Sequence, residues 1–168
     1  YVLWLLDIFG FLRLQPISFL FCLVLVFIVG WAWGGRPRLD ESERRSALTT
    51  EAVFLLAFAL AVFVRAHNPE IGGTEKPMEF AFLNAILRND HLPPHDPWLA
   101  GYAISYYYFG YLMMAALAQL AAVSAAQAFN LGIATLFALT VAGAFSIVRD
   151  LVAHRCGRQA SDAAPTFF

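Results

Sequence analysis

The chain has 168 residues, of which 60% are hydrophobic and only 14% are charged, against roughly 25% charged residues in an average soluble domain. A soluble domain of this length could not bury so much apolar surface, because its surface-to-volume ratio leaves too little interior. The net charge of −1 provides no basic field for phosphates, so no nucleic acid is expected as a partner. The composition excludes a soluble enzyme and a disordered chain, and it predicts an integral membrane protein in contact with membrane lipid.

The first residues, YVLWLLDIFGFL, begin with Tyr rather than Met and are apolar from the start. No basic segment precedes them, so they are not typical of a signal peptide. They are typical of a helix that is cut in its middle. We therefore expect residues 1–168 to be a single membrane domain taken from a larger membrane protein.

Two transmembrane helices are predicted in the first part of the chain, since each needs about 20 mostly apolar residues. They lie at about 16–34 and 48–66. The short loop between them carries four arginines, Arg36, Arg38, Arg44 and Arg45. Under the positive-inside rule this loop is predicted to be cytoplasmic, which places the following loop, 67–101, outside.

The external loop contains a predicted surface helix. The run EKPMEFAFLNAILRN indicates a helix over about 75–89, which Thr74 can cap and in which Pro77 falls in the first turn, where its missing N–H costs little. We expect this helix to lie along the membrane surface or to pack on the bundle.

One face of the surface helix combines acidic and apolar side chains. At 100° per residue, Glu75 and Glu79 fall on the same face as Phe82 and Ile86. The helix therefore places two carboxylates beside apolar groups, where an unpaired carboxylate is costly.

Two further spans are predicted in the charge-free stretch between Asp96 and Arg149, at about 102–123 and 129–148. Both are rich in Ala and Gly, which let helices approach closely in lipid. We therefore expect the two to pack antiparallel across a short turn. The sequence as a whole predicts an all-α fold: a polytopic transmembrane helical bundle in the cell (plasma) membrane, with an external loop containing a surface helix.

A long motif in and after the external loop carries a resemblance to a known family. The runs HNPEI, GGTEKPMEFAFLNAI, LPPHDPW and YYYFGY, within about 65–139, resemble the prokaryotic integral membrane family named for its Tyr-Tyr-Tyr motif, the Chlor_Arch_YYY family, a domain of unknown function. That family resembles, distantly, the GT-C glycosyltransferases, which take sugars from polyprenyl-phosphate carriers. The resemblance implies a large first external loop with one acidic residue after a span, then a surface helix, then a Pro-rich turn with a second acid.

The resemblance also implies catalytic residues. Glu75 occupies the place of the first acid and Asp96 that of the second, and Glu79 is a third candidate. An inverting transferase needs a carboxylate to take the proton from the acceptor hydroxyl, and an apolar site can raise the pKa of such a group. The chain departs from the GT-C protein mannosyltransferases, which commonly show an Asp-Glu pair where it has Glu75 and Lys76.

Cationic and aromatic side chains are candidates for substrate binding. Cations can grip the lipid phosphate, and a carboxylate can hold a divalent cation against it, although the sequence leaves metal ligands open. Three consecutive tyrosines on a helix would point three ways, so at least one should face the bundle or the loop, although an interfacial aromatic belt is the commoner role. The candidates are Arg65, Lys76, Arg88, Tyr106, Tyr107 and Tyr108.

Each acid also has a structural interpretation. Glu75 can favour the helix macrodipole, Glu79 can pair with Lys76, and Asp96 before Pro97 is a common turn residue. Two hypotheses therefore stand. The first is a membrane glycosyltransferase of GT-C type that uses a polyprenyl-phosphate sugar at the outer membrane face. The second is a non-catalytic polytopic membrane protein, either a transport component or a structural scaffold; uncharged span centres disfavour an ion-coupled transporter.

Overall fold

A computed structural model of the protein describes residues 1–34 and 40–162, with side chains described to residue 155. Across these residues the helices in chain order are α1 (Val2–Ile8), α2 (Pro16–Gly34), α3 (Glu41–His67), α4 (Lys76–Arg88), α5 (Phe109–Ala121) and α6 (Ala125–Asp162). No strand occurs in these residues, and one isolated antiparallel bridge joins His95 to Ala103 in the segment between α4 and α5. The predicted all-α fold is confirmed.

Three of these helices are long and apolar enough to cross a membrane: α2, α3, and α6 as far as Arg155. They cover the spans predicted at 16–34, 48–66 and 129–148, although α3 and α6 extend beyond them. A helix suits a bilayer because it satisfies its backbone hydrogen bonds internally. Of the four loop arginines, Arg36 and Arg38 lie outside the described residues.

The segment predicted as a span at 102–123 contains a shorter helix. Helix α5 has 13 residues and is therefore about 20 Å long, less than the roughly 30 Å hydrocarbon core. The preceding residues are not helical, because the chain turns at Gly101 (φ +86°) and the N–H of Ile104 donates to the carbonyl of Pro94 (2.9 Å). The prediction of a full span was wrong here, because the absence of charged residues does not distinguish a transmembrane helix from an uncharged segment of a loop.

Helices α3 and α6 each begin with a capping box, in which two residues satisfy each other's backbone N–H groups. Before α6, the N–H of Ser124 donates to Oε1 of Gln127 (3.0 Å), and the N–H of Gln127 donates to Oγ of Ser124 (3.3 Å). Before α3, Asp40 and Glu43 exchange the same bonds (2.9 and 2.7 Å). Hydrogen bonding to the backbone of Glu43 lowers the pKa of the Asp40 carboxyl.

Helix α4 begins without a side-chain cap, so the predicted role of Thr74 is wrong. Its N-cap residue is Glu75, which makes no capping bond. Thr74 itself has φ +49°, in the left-handed region, where the chain turns into the helix. Pro77 does lie in the first turn, as predicted.

The chain divides into two compact units. The first lies within Tyr1–Arg38 and Asn68–Gly132, and the second within Leu39–His67 and Ile133–Phe168. In the first unit α1 packs against α2, α2 against α5, and α5 against α4. At Gly132, an added Cβ would lie 3.0 Å from Sδ of Met114, so a small residue near the start of α6 makes room for a side chain of α5.

In the second unit, polar side chains join α3 to α6. Oγ1 of Thr50 lies 3.2 Å from Oγ of Ser146. Nη1 of Arg149 donates to the carbonyl of Ser46 (3.0 Å) and to Oγ1 of Thr50 (3.1 Å). These bonds place the first half of α3 beside the end of the charge-free stretch of α6, so the two helices run antiparallel.

Replacing Ser124 with Ala should destabilise the start of α6 by about 1 kcal/mol, because Gln127 loses its reciprocal partner. The measurement is the thermal unfolding midpoint in detergent, followed by circular dichroism. Ser105→Ala, at an exposed serine of the loop before α5, is the matched control. Equal midpoints for the two variants would contradict the capping role.

Candidate functional site

The predicted acids of α4 lie against tyrosines of α5 and of the segment before it. Glu79 is half-buried, and its carboxylate lies close enough to the hydroxyl of Tyr111 for its negative charge to act on that group. Glu75, one turn earlier and exposed, is close enough for its charge to act on Tyr106 and Tyr111. With Tyr107 beside Tyr106, these five residues are called here the acid–tyrosine face.

Two residues of the Tyr-Tyr-Tyr motif stack on each other outside any helix. The rings of Tyr106 and Tyr107 have centroids 3.9 Å apart, and the hydroxyl of Tyr106 donates to that of Tyr107. This bond, with burial and the nearby negative charge of Glu75, raises the pKa of Tyr106 to about 12. The expectation of three helical positions is wrong, because the helix starts only after Tyr108.

Tyr108 points to a different partner from its two neighbours. Its hydroxyl accepts a hydrogen bond from Nε1 of Trp4 in α1 (3.1 Å). The rings of Tyr1 and Trp4 also pack on Phe109. The third tyrosine therefore holds α1 against α5 and takes no part in the acid–tyrosine face.

Phe82 joins the elements that carry the site. Its side chain is buried, and its ring contacts those of Tyr106 (5.6 Å), Tyr111 (5.8 Å) and Trp98 (5.6 Å). Ile86, one turn on, is fully buried. The predicted apolar flank beside Glu75 and Glu79 is thus present and packs against α5.

Asp96 is held in a turn and lies along a different face of α4. Its Oδ1 accepts hydrogen bonds from the N–H groups of Trp98 (2.8 Å) and Leu99 (3.0 Å). Asp96 therefore acts as a turn residue, the structural interpretation given in the sequence analysis. It lines a groove with Arg88, and at 100° per residue Arg88 falls opposite Glu79 on α4. The structure brings Glu75 and Glu79 to one face and sets Asp96 beside the other.

The three predicted cations lie in separate places. Lys76 is half-buried at the start of α4, and Arg88 is exposed in its last turn. Neither forms an ion pair among the described side chains, so the predicted Glu79–Lys76 pair is not observed. Arg65 lies in the last turn of α3, in the second unit, and its substrate role stays a prediction.

Asp7 is a structural carboxylate that sequence reasoning missed. It is only 3% exposed, and it is the acid within the apolar helix α1. Oδ2 accepts the N–H of Leu92, and Nδ1 of His91 lies 3.2 Å from Oδ1. Asp7 therefore fixes α1 to the segment that follows α4. A lone acid in an apolar run was the available signal, since a buried carboxylate needs partners.

No group of three or more His, Cys, Asp or Glu side chains that could hold a metal ion occurs in the part of the chain that the structure describes. His91 is already paired with Asp7. The acid–tyrosine face can accept a proton and offer aromatic surface with residues of this chain alone.

The comparison with family models agrees with the membrane-spanning helices. The model of an uncharacterized membrane protein family, DUF2298, matches residues 1–167. The chain belongs to this family. The match covers the acid–tyrosine face, the Asp7 anchor and the spans together. No curated protein and no solved structure matches the chain.

Replacing Asp7 with Ala should destabilise the first unit by about 1–3 kcal/mol, because the N–H of Leu92 loses its buried acceptor. The unfolding midpoint in detergent and hydrogen exchange at Leu92 measure the effect. The control is Asp90→Asn, since Asp90 is exposed and contributes a backbone carbonyl to Leu14. An Asp7 variant as stable as the Asp90 variant would contradict the anchoring role.

The pKa of Tyr106 is raised from the usual tyrosine value of about 10 to about 12. Its phenol is therefore expected to stay neutral in the pH range between these two values. Its contribution to stability is therefore complete below pH 10 and is lost as the pH rises through 12. An ultraviolet titration should show a smaller phenolate step near pH 12 in Tyr106→Phe. Tyr107→Phe should move the contribution of Tyr106 to that step towards pH 10, because the largest cause of the Tyr106 shift is removed.

The control for the titration is Tyr102→Phe, at an exposed tyrosine that lies outside the acid–tyrosine face. It should leave the step near pH 12 unchanged. A Tyr107→Phe titration identical to that of the unmodified protein would show that the hydroxyl pair does not control the ionisation of Tyr106.

Proposed function

We propose that this protein is a glycosyltransferase of GT-C type, a multi-pass protein of the plasma membrane that transfers a sugar from a polyprenyl-phosphate carrier at the outer face. The observation that carries the proposal is the position of the half-buried Glu79 carboxylate beside the Tyr111 hydroxyl, one turn from Glu75. A carboxylate held in this way beside apolar side chains suits a general base. The resemblance to GT-C enzymes supplies the class of reaction.

The position of the loop along α2 supports a site at a membrane surface. The N–H of Leu14, just before α2, donates to the carbonyl of Asp90 in the loop (2.8 Å). The loop therefore lies at the N-terminal end of this apolar helix, and the segment with the predicted cytoplasmic arginines follows its C-terminal end. On this topology the acid–tyrosine face belongs to the external side.

In the proposed reaction Glu79 accepts the proton of the acceptor hydroxyl. The acceptor oxygen forms a bond to the anomeric carbon, and the bond from that carbon to the phosphate oxygen breaks. The phosphate leaves with the electron pair and stays on the lipid. Tyr111 orients the carboxylate by donating a hydrogen bond to one oxygen, which leaves the other oxygen for the acceptor.

The remaining members of the face have supporting roles in this proposal. Glu75 is the alternative base, because it lies one turn away on the same side of α4. The stacked rings of Tyr106 and Tyr107 offer aromatic surface to the sugar. Lys76 stands next to Glu75 and provides a positive charge for the departing phosphate. Asp96 is assigned to binding, since it faces the groove on the other side of α4.

The test is a transfer assay on the full-length protein with polyprenyl-phosphate sugars. Glu79→Gln removes the base and keeps the shape, so we expect transfer to fall about 100-fold or more. Tyr111→Phe removes only the orienting bond and should cause a smaller loss. Asp90→Asn changes an exposed acid of the same loop and should leave transfer unchanged.

Two outcomes would overturn the proposal. If Glu79→Gln and Glu75→Gln both transferred sugar at the unmodified rate, neither acid would be the base. If the unmodified protein transferred no sugar from any polyprenyl phosphate, the non-catalytic alternative would be favoured.

A further inference from the structure

A polar groove lies along the side of α4 that is opposite the acid–tyrosine face. Its volume is about 520 Å³, within the roughly 300–1,000 Å³ typical of small-molecule sites. Residues of α4 line one side and the turn at 95–97 lines the other. Its main side chains are Phe80, Asn84, Arg88, Asn89, His95 and Asp96. It is called here the α4 groove.

Three side chains of the α4 groove are held in place by hydrogen bonds, and each of them has one side-chain oxygen that makes no hydrogen bond to the described residues. Nδ2 of Asn84 (2.8 Å) and Nδ2 of Asn89 (2.6 Å) each donate to a backbone carbonyl one helical turn earlier. Oδ1 of Asp96 is occupied by the two N–H groups of its own turn. Among the described residues, Oδ1 of each Asn and Oδ2 of Asp96 make no hydrogen bond, so three fixed acceptors are available to a ligand.

Arg88 supplies donors to the same groove. Its guanidinium has five N–H groups and forms no ion pair with a described side chain. Its position in the last turn of α4 suits the negative end of the helix dipole. Because Arg88 and Asp96 carry opposite charges, the groove combines donors and acceptors without a strong net field.

We infer that the α4 groove binds a neutral carbohydrate. Neighbouring sugar hydroxyls each donate and accept, and planar amide, carboxylate and guanidinium groups can each bond two of them at once. The ring of Phe80, fixed edge-to-face on Phe129 (5.7 Å), gives an apolar surface for the C–H face of a sugar. Binding itself needs no transfer activity; use of the bound sugar as acceptor rests on the proposed function.

Two other ligand classes fit the groove less well. A phosphate would meet the carboxylate of Asp96, which repels an anion. A metal ion would need at least three suitable side chains, and none of the described residues form such a group. Because the groove combines hydrogen-bond donors and acceptors of opposite charge, it suits hydroxyl groups better than a phosphate or a metal ion.

The experiment is binding of the detergent-purified full-length protein to an array of neutral mono- and oligosaccharides. Arg88→Ala removes the donors at an exposed position. Asp96→Asn keeps an oxygen for the turn and removes the charge. For the glycans that the unmodified protein binds, we expect each variant to lose affinity by about 10-fold or more, the loss of one good polar contact.

Two controls separate this inference from the proposed function. Asp90→Asn should bind glycans normally, since Asp90 lies outside the groove. Glu79→Gln should also bind normally while it loses transfer, so the two proposals can fail independently. The inference is overturned if no neutral glycan binds above background, if Arg88→Ala and Asp96→Asn bind as the unmodified protein does, or if inorganic phosphate alone is bound.

Discussion

Helix α4 is held against α5 by buried apolar side chains, and this contact decides where the polar groups of the external loop point. Phe82, Leu83 and Ile86 are at most 4% exposed, and burial of each contributes about 1.5–3 kcal/mol relative to exposure. Because the helix cannot rotate without exposing them, Glu79 is fixed beside Tyr111 and Arg88 is fixed on the far side. The site therefore results from packing. The buried apolar contact between α4 and α5 fixes the positions of its polar side chains.

A second constraint is the buried carboxylate of Asp7. A carboxylate in an apolar environment costs several kcal/mol unless it is hydrogen-bonded, and here the loop supplies both partners. The bond to the N–H of Leu92 holds the loop at the turn that leads to Asp96, while Trp4 of the same short helix binds Tyr108. A helix of 7 residues thus braces both ends of the segment that surrounds the site.

The part of this arrangement that could be predicted from sequence is the part set by local periodicity. The 3.6-residue repeat of α4 placed Glu75 and Glu79 with Phe82 and Ile86, and hydropathy located α2, α3 and α6. The start of α5 could not be found in this way, because the residues from Tyr102 to Tyr108 lack charge, as a span does, but belong to the loop. Thr74 looked like a cap, yet its backbone is left-handed. The partners of Asp7 are more than eighty residues away, and no local pattern identifies them.

The two faces of α4 give the helix a role beyond that of a spacer. An α-helix with its side chains is about 10–12 Å across, so a ligand in the α4 groove is separated from the acid–tyrosine face by the body of the helix. The N-terminal end of α4 is where Glu75 lies, on the turn with Thr74, and a path around that end leads from the groove to the carboxylates. An acceptor would therefore need to be extended, with one part fixed in the groove and its reacting hydroxyl carried past Glu75 to Glu79. Both faces stand on one rigid element seated by Phe82, so their separation is set by the fold, and the length of the ligand decides whether they act on the same molecule.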